Sequence, residues 1–277
     1  MLKIQTENFS LEQIWQSGQC FRMTQTENSS DEAKIMYEII AGHRYLEAAS
    51  SDKECIFYCS EEEFGEFWRD YFDLESNYGD YISRINPRDA YLCKAAQTGW
   101  GIRILRQDLW ETIVSFLISQ QNTIVRIRRC ISNICHQYGE KETCGHGKPY
   151  YGFPKPETLA RLQENDLMAC NLGYRSKYVV RAARSVASGE VDLEGIKKMP
   201  YRKAKEELLK LFGVGEKVAD CVCLFGLHHL EAFPVDTHIN QALEKHYKKG
   251  FPKTRYKGVQ GVMQQYIFYY ELHGDKA

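Results

Sequence analysis

Lys217 stands two residues after a Gly-Val-Gly turn, Gly213-Val214-Gly215, within KAKEELLKLFGVGEKVADCVCLFGL (203–227). A lysine amine can attack carbon and hold it as an imine, provided that its proton is off. The positive end of a helix dipole disfavours an ammonium in the first turn. A partly buried Lys217 at such a place could therefore act as a nucleophile. A surface lysine there would instead hold a phosphate, and the residues alone leave both uses open. Cys221 and Leu224 follow at i+4 and i+7, so they share a helix face with Lys217. Nineteen residues after Lys217, the segment FPVDTHI (233–239) places Asp236 as the N-cap of another helix. Its carboxylate can cap that helix and also supply a second fixed charge. His238, in the first turn, can donate to a phosphate or serve structurally.

The elements that must position these groups are legible around them. An amphipathic helix over 201–211 ends at the glycine turn, and a second, over 216–227, begins at once. The glycines allow a tight turn and leave N–H groups open at a helix start, which suits phosphate. Such a hairpin grips a DNA strand without reading sequence, although an ordinary helix–helix turn can look the same. Apolar residues Ile113, Phe116, Leu117, Ile124, Ile127 and Ile131 recur at helical period over 108–138, with a polar break at 119–123, so two helices are expected there. Further helices are expected over 155–165, 174–188, 237–247 and 258–271, with a loop over 145–155. The first hundred residues read differently. KIMYEII (34–40) and ECIFYCS (54–60) fit strands, Ala41-Gly42 fits a hairpin turn, and 61–78 reads as a helix.

Composition bounds the class. With 43% hydrophobic and 26% charged residues, the chain has material for a sizeable core. No apolar run reaches membrane-span length, and MLKIQTENFSLEQ lacks the pattern of a secretory signal. Ten cysteines without such a signal read as reduced thiols. Net charge is −1 overall, but Lys+Arg against Asp+Glu is 9 to 18 in residues 1–100 and 27 to 19 in 101–277. That split fits a polyanion partner for the basic part, or simply two solvated surfaces of opposite sign.

LFGVGEKVADCVCLFG followed by FPVDTHI resembles the signature of the 8-oxoguanine DNA glycosylases, members of the helix-hairpin-helix, glycine/proline-aspartate superfamily. SGQCFRM (17–23), SFLISQQNTIVRI (115–127), YYGFPKP (150–156), LGYRSKYV (172–179) and MQQYIFYY (263–270) match in the expected order, so the resemblance spans nearly the whole chain. It implies that Lys217 attacks C1′ of a damaged nucleotide and forms a Schiff base, with Asp236 stabilising the developing positive charge. It implies that Cys221 and Phe268 sandwich the flipped base, that Gln264 bonds its Watson–Crick edge, and that the Gly18 carbonyl accepts the N7–H found only in the oxidised base. Gln121, Arg126 and Arg175 would face the base left behind, and Tyr174 would be the wedge. Gly213, Gly215 and His238 would hold DNA backbone. The carbonyls of Leu209, Leu211 and Val214 would suit a monovalent cation. The chain departs from the family pattern at Phe212, where a proline is common, at Gln121, where an asparagine is common, and at Cys20, which replaces a serine.

The expected fold is α+β. An N-terminal antiparallel-sheet α/β domain (1–104) precedes a larger all-α helix-hairpin-helix domain (105–277). The expected activity is that of a bifunctional glycosylase/lyase removing 8-oxoguanine from duplex DNA, preferably opposite cytosine. It would be a monomer without cofactor, cytoplasmic and nucleoid-associated in a bacterium or nuclear in a eukaryote. No cysteine follows Cys223, so no iron–sulfur cluster of the superfamily's four-cysteine type is expected. Cys130, Cys135, His136, Cys144 and His146 match no zinc spacing. The rivals are an alkylated-base glycosylase of the superfamily and a non-catalytic DNA-binding module.

Overall fold

The computed structural model describes residues 1–5, 7–26, 35–50 and 54–274. The first part is a five-stranded, wholly antiparallel sheet in the order β1-β5-β4-β3-β2. Its strands are β1 (Leu2–Ile4), β2 (Met23–Thr26), β3 (Ile35–Ala41), β4 (Arg44–Ser50) and β5 (Cys55–Phe57), with α1 (Leu11–Gln16) between β1 and β2. The expected strand over 34–40 corresponds to β3, and Lys34 lies outside the described residues. Alternation puts Tyr37, Ile39 and Ala41 of β3 on the buried face. They join Leu11 and Ile14 of α1 and the aromatic cluster of Phe57, Trp68 and Phe72. The turn between β3 and β4 is Gly42-His43, one residue later than expected, with Gly42 at φ +58.

The single helix expected over 61–78 is broken. It runs as α2 (Glu61–Glu63), a π-helical stretch (Phe64–Trp68) and α3 (Arg69–Tyr71), and ends where Asp73 takes a left-handed conformation at φ +51. Asp73 can hold that conformation because its carboxylate accepts from Ser76, Tyr78 and Arg106, and His228 Nε2 lies 3.2 Å from it as an ion-pair contact. Then come α4 (Tyr78–Ser83), α5 (Ala90–Thr98), α6 (Leu109–Ser119) and α7 (Ile124–Tyr138). The polar break between α6 and α7 lies where expected. The following segment, read as a loop, is a hairpin of β6 (Lys141–Thr143) and β7 (Pro149–Tyr151), too short and too polar to show periodicity. The helix expected over 155–165 shrinks to α8 (Pro156–Ala160). After α9 (Ser176–Ala187) and α10 (Leu193–Ile196) come α11 (Tyr201–Leu208), α12 (Glu216–Phe225), α13 (Thr237–His246) and α14 (Gln260–His273).

Two cores result. The helical one takes in Tyr78, Ile85, Leu92, Ala95 and Ala96 of α4, α5 and their link. These residues precede position 104, where the division was expected, yet α5 packs along α14. Leu105 conversely belongs to the sheet core. The two parts are fastened by Arg22, which bonds Glu111 of α6 at 3.1 Å and the Gly42 carbonyl at the hairpin tip, while Glu111 also accepts from Gly42 N. Burial pushes the Glu111 carboxyl up and Arg22 opposes it, so the pair is held in mutual dependence.

Candidate active site

The glycine turn is built by its flanking helices. On α12, Asp220 is buried and receives Lys205 Nζ (2.9 Å) and Tyr201 OH (2.6 Å) from α11. That fixes the two helices across Phe212-Gly213-Val214-Gly215. Gly213 sits at φ +91, and a Cβ there would meet the Tyr178 ring at 2.6 Å, so only glycine fits. Gly215 is the N-cap of α12 and has no side chain to fill that role, so the first-turn N–H groups stay open. Leu211 O takes the N–H of Val214 at 3.0 Å. The carbonyls of Leu209 and Val214 accept no hydrogen bond among the described residues, which leaves them open to a cation.

Lys217 lies in that first turn with Nζ 5.4 Å from the centre of the Phe116 ring. Phe116 stacks on Phe225 (5.4 Å, 13°), and Phe21 meets it edge-on. Sequence periodicity marked Phe116 only as a core position; its place under the lysine had no signal. Cys221, one turn on, is buried. Burial pushes its thiol up to about 11, with Lys217 pulling down and Asp220 and Asp236 pushing up. It is therefore a neutral, soft wall near pH 7 rather than a nucleophile. Asp236 caps α13, accepting the N–H of Ile239 at 2.8 Å.

Lys217, Asp236, Cys221, Gln264, Phe268 and Gly18 line one cavity, together with Ser17, Phe116, Phe225, Pro234 and Gln265. The six residues expected to form the catalytic pair and the base pocket are thus brought together from α12, α13, α14 and the turn after α1. That turn is fixed by Gln19, which sequence reading passed over. Gln19 Nε2 donates to Ser17 Oγ and Arg103 O, its Oε1 accepts Leu105 N, and its carbonyl takes Gln107 Nε2. Gly18, at φ +72, lies against Phe268: a Cβ there would be 3.2 Å from Cε1 of the ring. The cavity holds about 50 Å³, too little for a purine, so its walls, Phe268 against Gly18 among them, must open to admit one. Roomier hollows elsewhere, 490 Å³ beside His228 and 520 Å³ along α7, contain neither Lys217 nor Asp236.

The expected opposite-strand residues cluster at the α6–α7 corner. Gln121 is exposed at φ +48, and Arg126 is exposed in the first turn of α7. Tyr174, 47% exposed, lies within 3.4 Å of Gln120 O and Gln121 Oε1. Arg175 differs from expectation. It is buried, and its guanidinium donates to the carbonyls of Gln120 (2.8 and 2.6 Å) and Gln121 (2.8 Å). It holds the corner's backbone and is not open toward a partner base. Gln120 Nε2 in turn donates to Gly213 O at 3.1 Å, tying corner to glycine turn. His238 is exposed and meets Phe268 edge-on at 6.2 Å.

Residues 1–113 match the model of the 8-oxoguanine DNA glycosylase N-terminal domain, and residues 114–257 that of the HhH-GPD superfamily of base excision DNA repair proteins. The chain is 36% identical over 182 residues to an N-glycosylase/DNA lyase of Saccharomyces cerevisiae, covering 62% of this chain and 48% of the yeast protein. This chain therefore spans about half the length of that relative. It is 31% identical over 227 residues to a probable N-glycosylase/DNA lyase of Methanothermobacter thermautotrophicus, covering 71% of each. The crystal structure of the Clostridium acetobutylicum 8-oxoguanine glycosylase/lyase, in complex with double-stranded DNA containing cytosine opposite 8-oxoguanine, superposes with a TM-score of 0.87 at 39% identity, covering 95% of this chain and 92% of that one.

Proposed function

The chain belongs to the 8-oxoguanine DNA glycosylases of the HhH-GPD base excision repair superfamily, and on that premise we propose that it is a bifunctional DNA glycosylase/AP lyase excising 8-oxoguanine from duplex DNA. The observation that carries this reading is the convergence of Lys217, Asp236, Cys221, Gln264, Phe268 and Gly18 on one cavity. A base inside a duplex is out of reach and must be flipped out. Phe268 then moves aside from Gly18 and, with Cys221, sandwiches it. The Gly18 carbonyl accepts N7–H; unoxidised guanine would present an acceptor to an acceptor there. Deprotonated Lys217 forms a bond to C1′ as the glycosidic bond breaks and its electron pair leaves with the base, which takes up a proton. Asp236 offsets the positive charge that develops on the sugar. The opened sugar is held as a Schiff base, and loss of a C2′ proton expels the 3′ phosphate.

DNA backbone would be held by the open N–H groups at Gly215 and by His238, and a monovalent cation would be held by the carbonyls of Leu209, Leu211 and Val214, where it would add positive charge to the hairpin. Tyr174 and Gln121 would enter the duplex, and Arg126 would face the estranged cytosine, whose adjacent O2 and N3 acceptors suit a guanidinium. Arg175 would support them by fixing the corner. We place the protein as a monomer in the cytoplasm or nucleus; among the described residues no helix is long and apolar enough to cross a membrane. The test is incubation with duplex containing 8-oxoguanine opposite cytosine. Free 8-oxoguanine and a nicked strand are expected. Release of 3-methyladenine from a second duplex carrying that base, with none of 8-oxoguanine from the first, would favour the alkylated-base rival, and binding without release from either the non-catalytic one.

A further inference from the structure

Gln265 follows Gln264 on α14, is 3% exposed, and lines the same cavity. Its Nε2 donates to Gln264 Oε1 at 3.2 Å. Its own Oε1 is sealed from solvent and accepts no hydrogen bond among the described residues. A buried acceptor without a donor is uncommon in native structures and calls for a reason. Here the donor can arrive with the ligand. The contact between the amides fixes their orientation relative to each other, because flipping either one alone would set oxygen against oxygen or nitrogen against nitrogen.

Two of the pocket's other side-chain acceptors are engaged. Ser17 Oγ donates to Ile14 O and accepts from Gln19 Nε2, and Asp236 Oδ1 caps α13. Gln264 Oε1 already receives Gln265, leaving one lone-pair direction for a base. The Watson–Crick edge of 8-oxoguanine presents two adjacent donors, N1–H and the exocyclic 2-amino group, so a single remaining acceptor position is one too few. We propose that Gln265 is a second, specificity-determining reader of the flipped base, its Oε1 accepting from the 2-amino group while its Nε2 orients Gln264. This rests on 8-oxoguanine being the substrate.

The test compares single-turnover excision of 8-oxoguanine and of 8-oxohypoxanthine, which keeps N1–H and N7–H but lacks the 2-amino group, each opposite cytosine. The two rates are measured on one preparation, so any unfolded fraction cancels in their ratio. Easier opening of the weaker pair affects wild type and variant alike, so the change in ratio is decisive. Gln265→Met should reduce the preference for 8-oxoguanine by about fivefold or more, the scale of one lost hydrogen bond, mainly by slowing its release. Gln265→Ala, which opens space instead of filling it, should move the ratio the same way. An unchanged ratio in both variants would overturn the proposal. No release of 8-oxoguanine by the wild type would instead overturn the substrate reading on which it rests.

Discussion

Asp236 answers two demands with one carboxylate: it caps α13 through Ile239 N and puts a negative charge on the wall of the Lys217 cavity. Asparagine can meet the first demand but not the second. Asp236→Asn should keep the melting temperature within a few degrees of wild type and slow excision by on the order of 10²–10³. Circular dichroism melts and single-turnover rates check both; a collapse in stability with unchanged activity per folded molecule would make Asp236 a cap alone. Gly18 is tested in the opposite sense. Its φ of +72 and the nearby Phe268 ring leave no easy place for a Cβ. Gly18→Ala should cost about 1–2 kcal/mol from backbone strain and, by displacing Phe268, slow excision by roughly tenfold or more, on the scale of a misplaced reacting geometry. Wild-type rates would show that the ring and the glycine are not coupled. At this scale the sequence was most informative where a side chain has a chemical signature. Lys217 and Asp236 stood out by type and spacing, and the pocket residues by resemblance. Phe116 looked like any periodic core residue, and Gln265 sat unremarked beside Gln264, because nothing local separates a core aromatic from a cavity wall.

Between elements, two joints carry the geometry. At the α6–α7 corner, Arg175 is spent on backbone carbonyls while Arg126 is exposed. Arg126→Met should therefore relax the preference for cytosine, mainly by raising relative activity opposite adenine. Single-turnover excision opposite each of the four bases measures this, and an unchanged spread would reduce Arg126 to a phosphate contact. At the other joint, Asp73 binds His228, just beyond α12, to Arg106 and Tyr78. Burial alone would push the Asp73 carboxyl up, but His228, Ser76 and Arg106 hold it below the usual carboxylate range. A depressed folded value means that its stabilisation is present above the unfolded value, about 4, and is lost as pH falls through the folded one. Asp73→Asn, a residue that tolerates the left-handed backbone, should cost about 3 kcal/mol near neutrality. The gap to wild type should shrink in acid, as read from urea midpoints; a constant gap would contradict this. Long periodic helices were legible at this scale. The edge strands β1 and β2 and the break at Asp73 were not, because each is made with partners farther along the chain, and the β6–β7 hairpin was not, because its strands are too short and polar to show periodicity.

For the whole molecule, the antiparallel sheet and the helical part were readable from the change in periodicity along the chain. The seam was not, because α4 and α5 pack on α14 and join the helical core from the N-terminal side. The charge contrast, −9 over residues 1–100 and +8 over 101–277, agrees with the cavity, the glycine turn and the α6–α7 corner all falling largely in the basic part. The proposed chemistry requires Lys217 to form a covalent bond to the sugar. Its most direct test is borohydride reduction during turnover on duplex containing 8-oxoguanine opposite cytosine, followed by peptide mapping of the trapped adduct. One reduced adduct is expected, on the peptide carrying Lys217, absent in Lys217→Gln although that variant still binds the duplex. Base release without an adduct, or an adduct on another residue in the wild type, would contradict it.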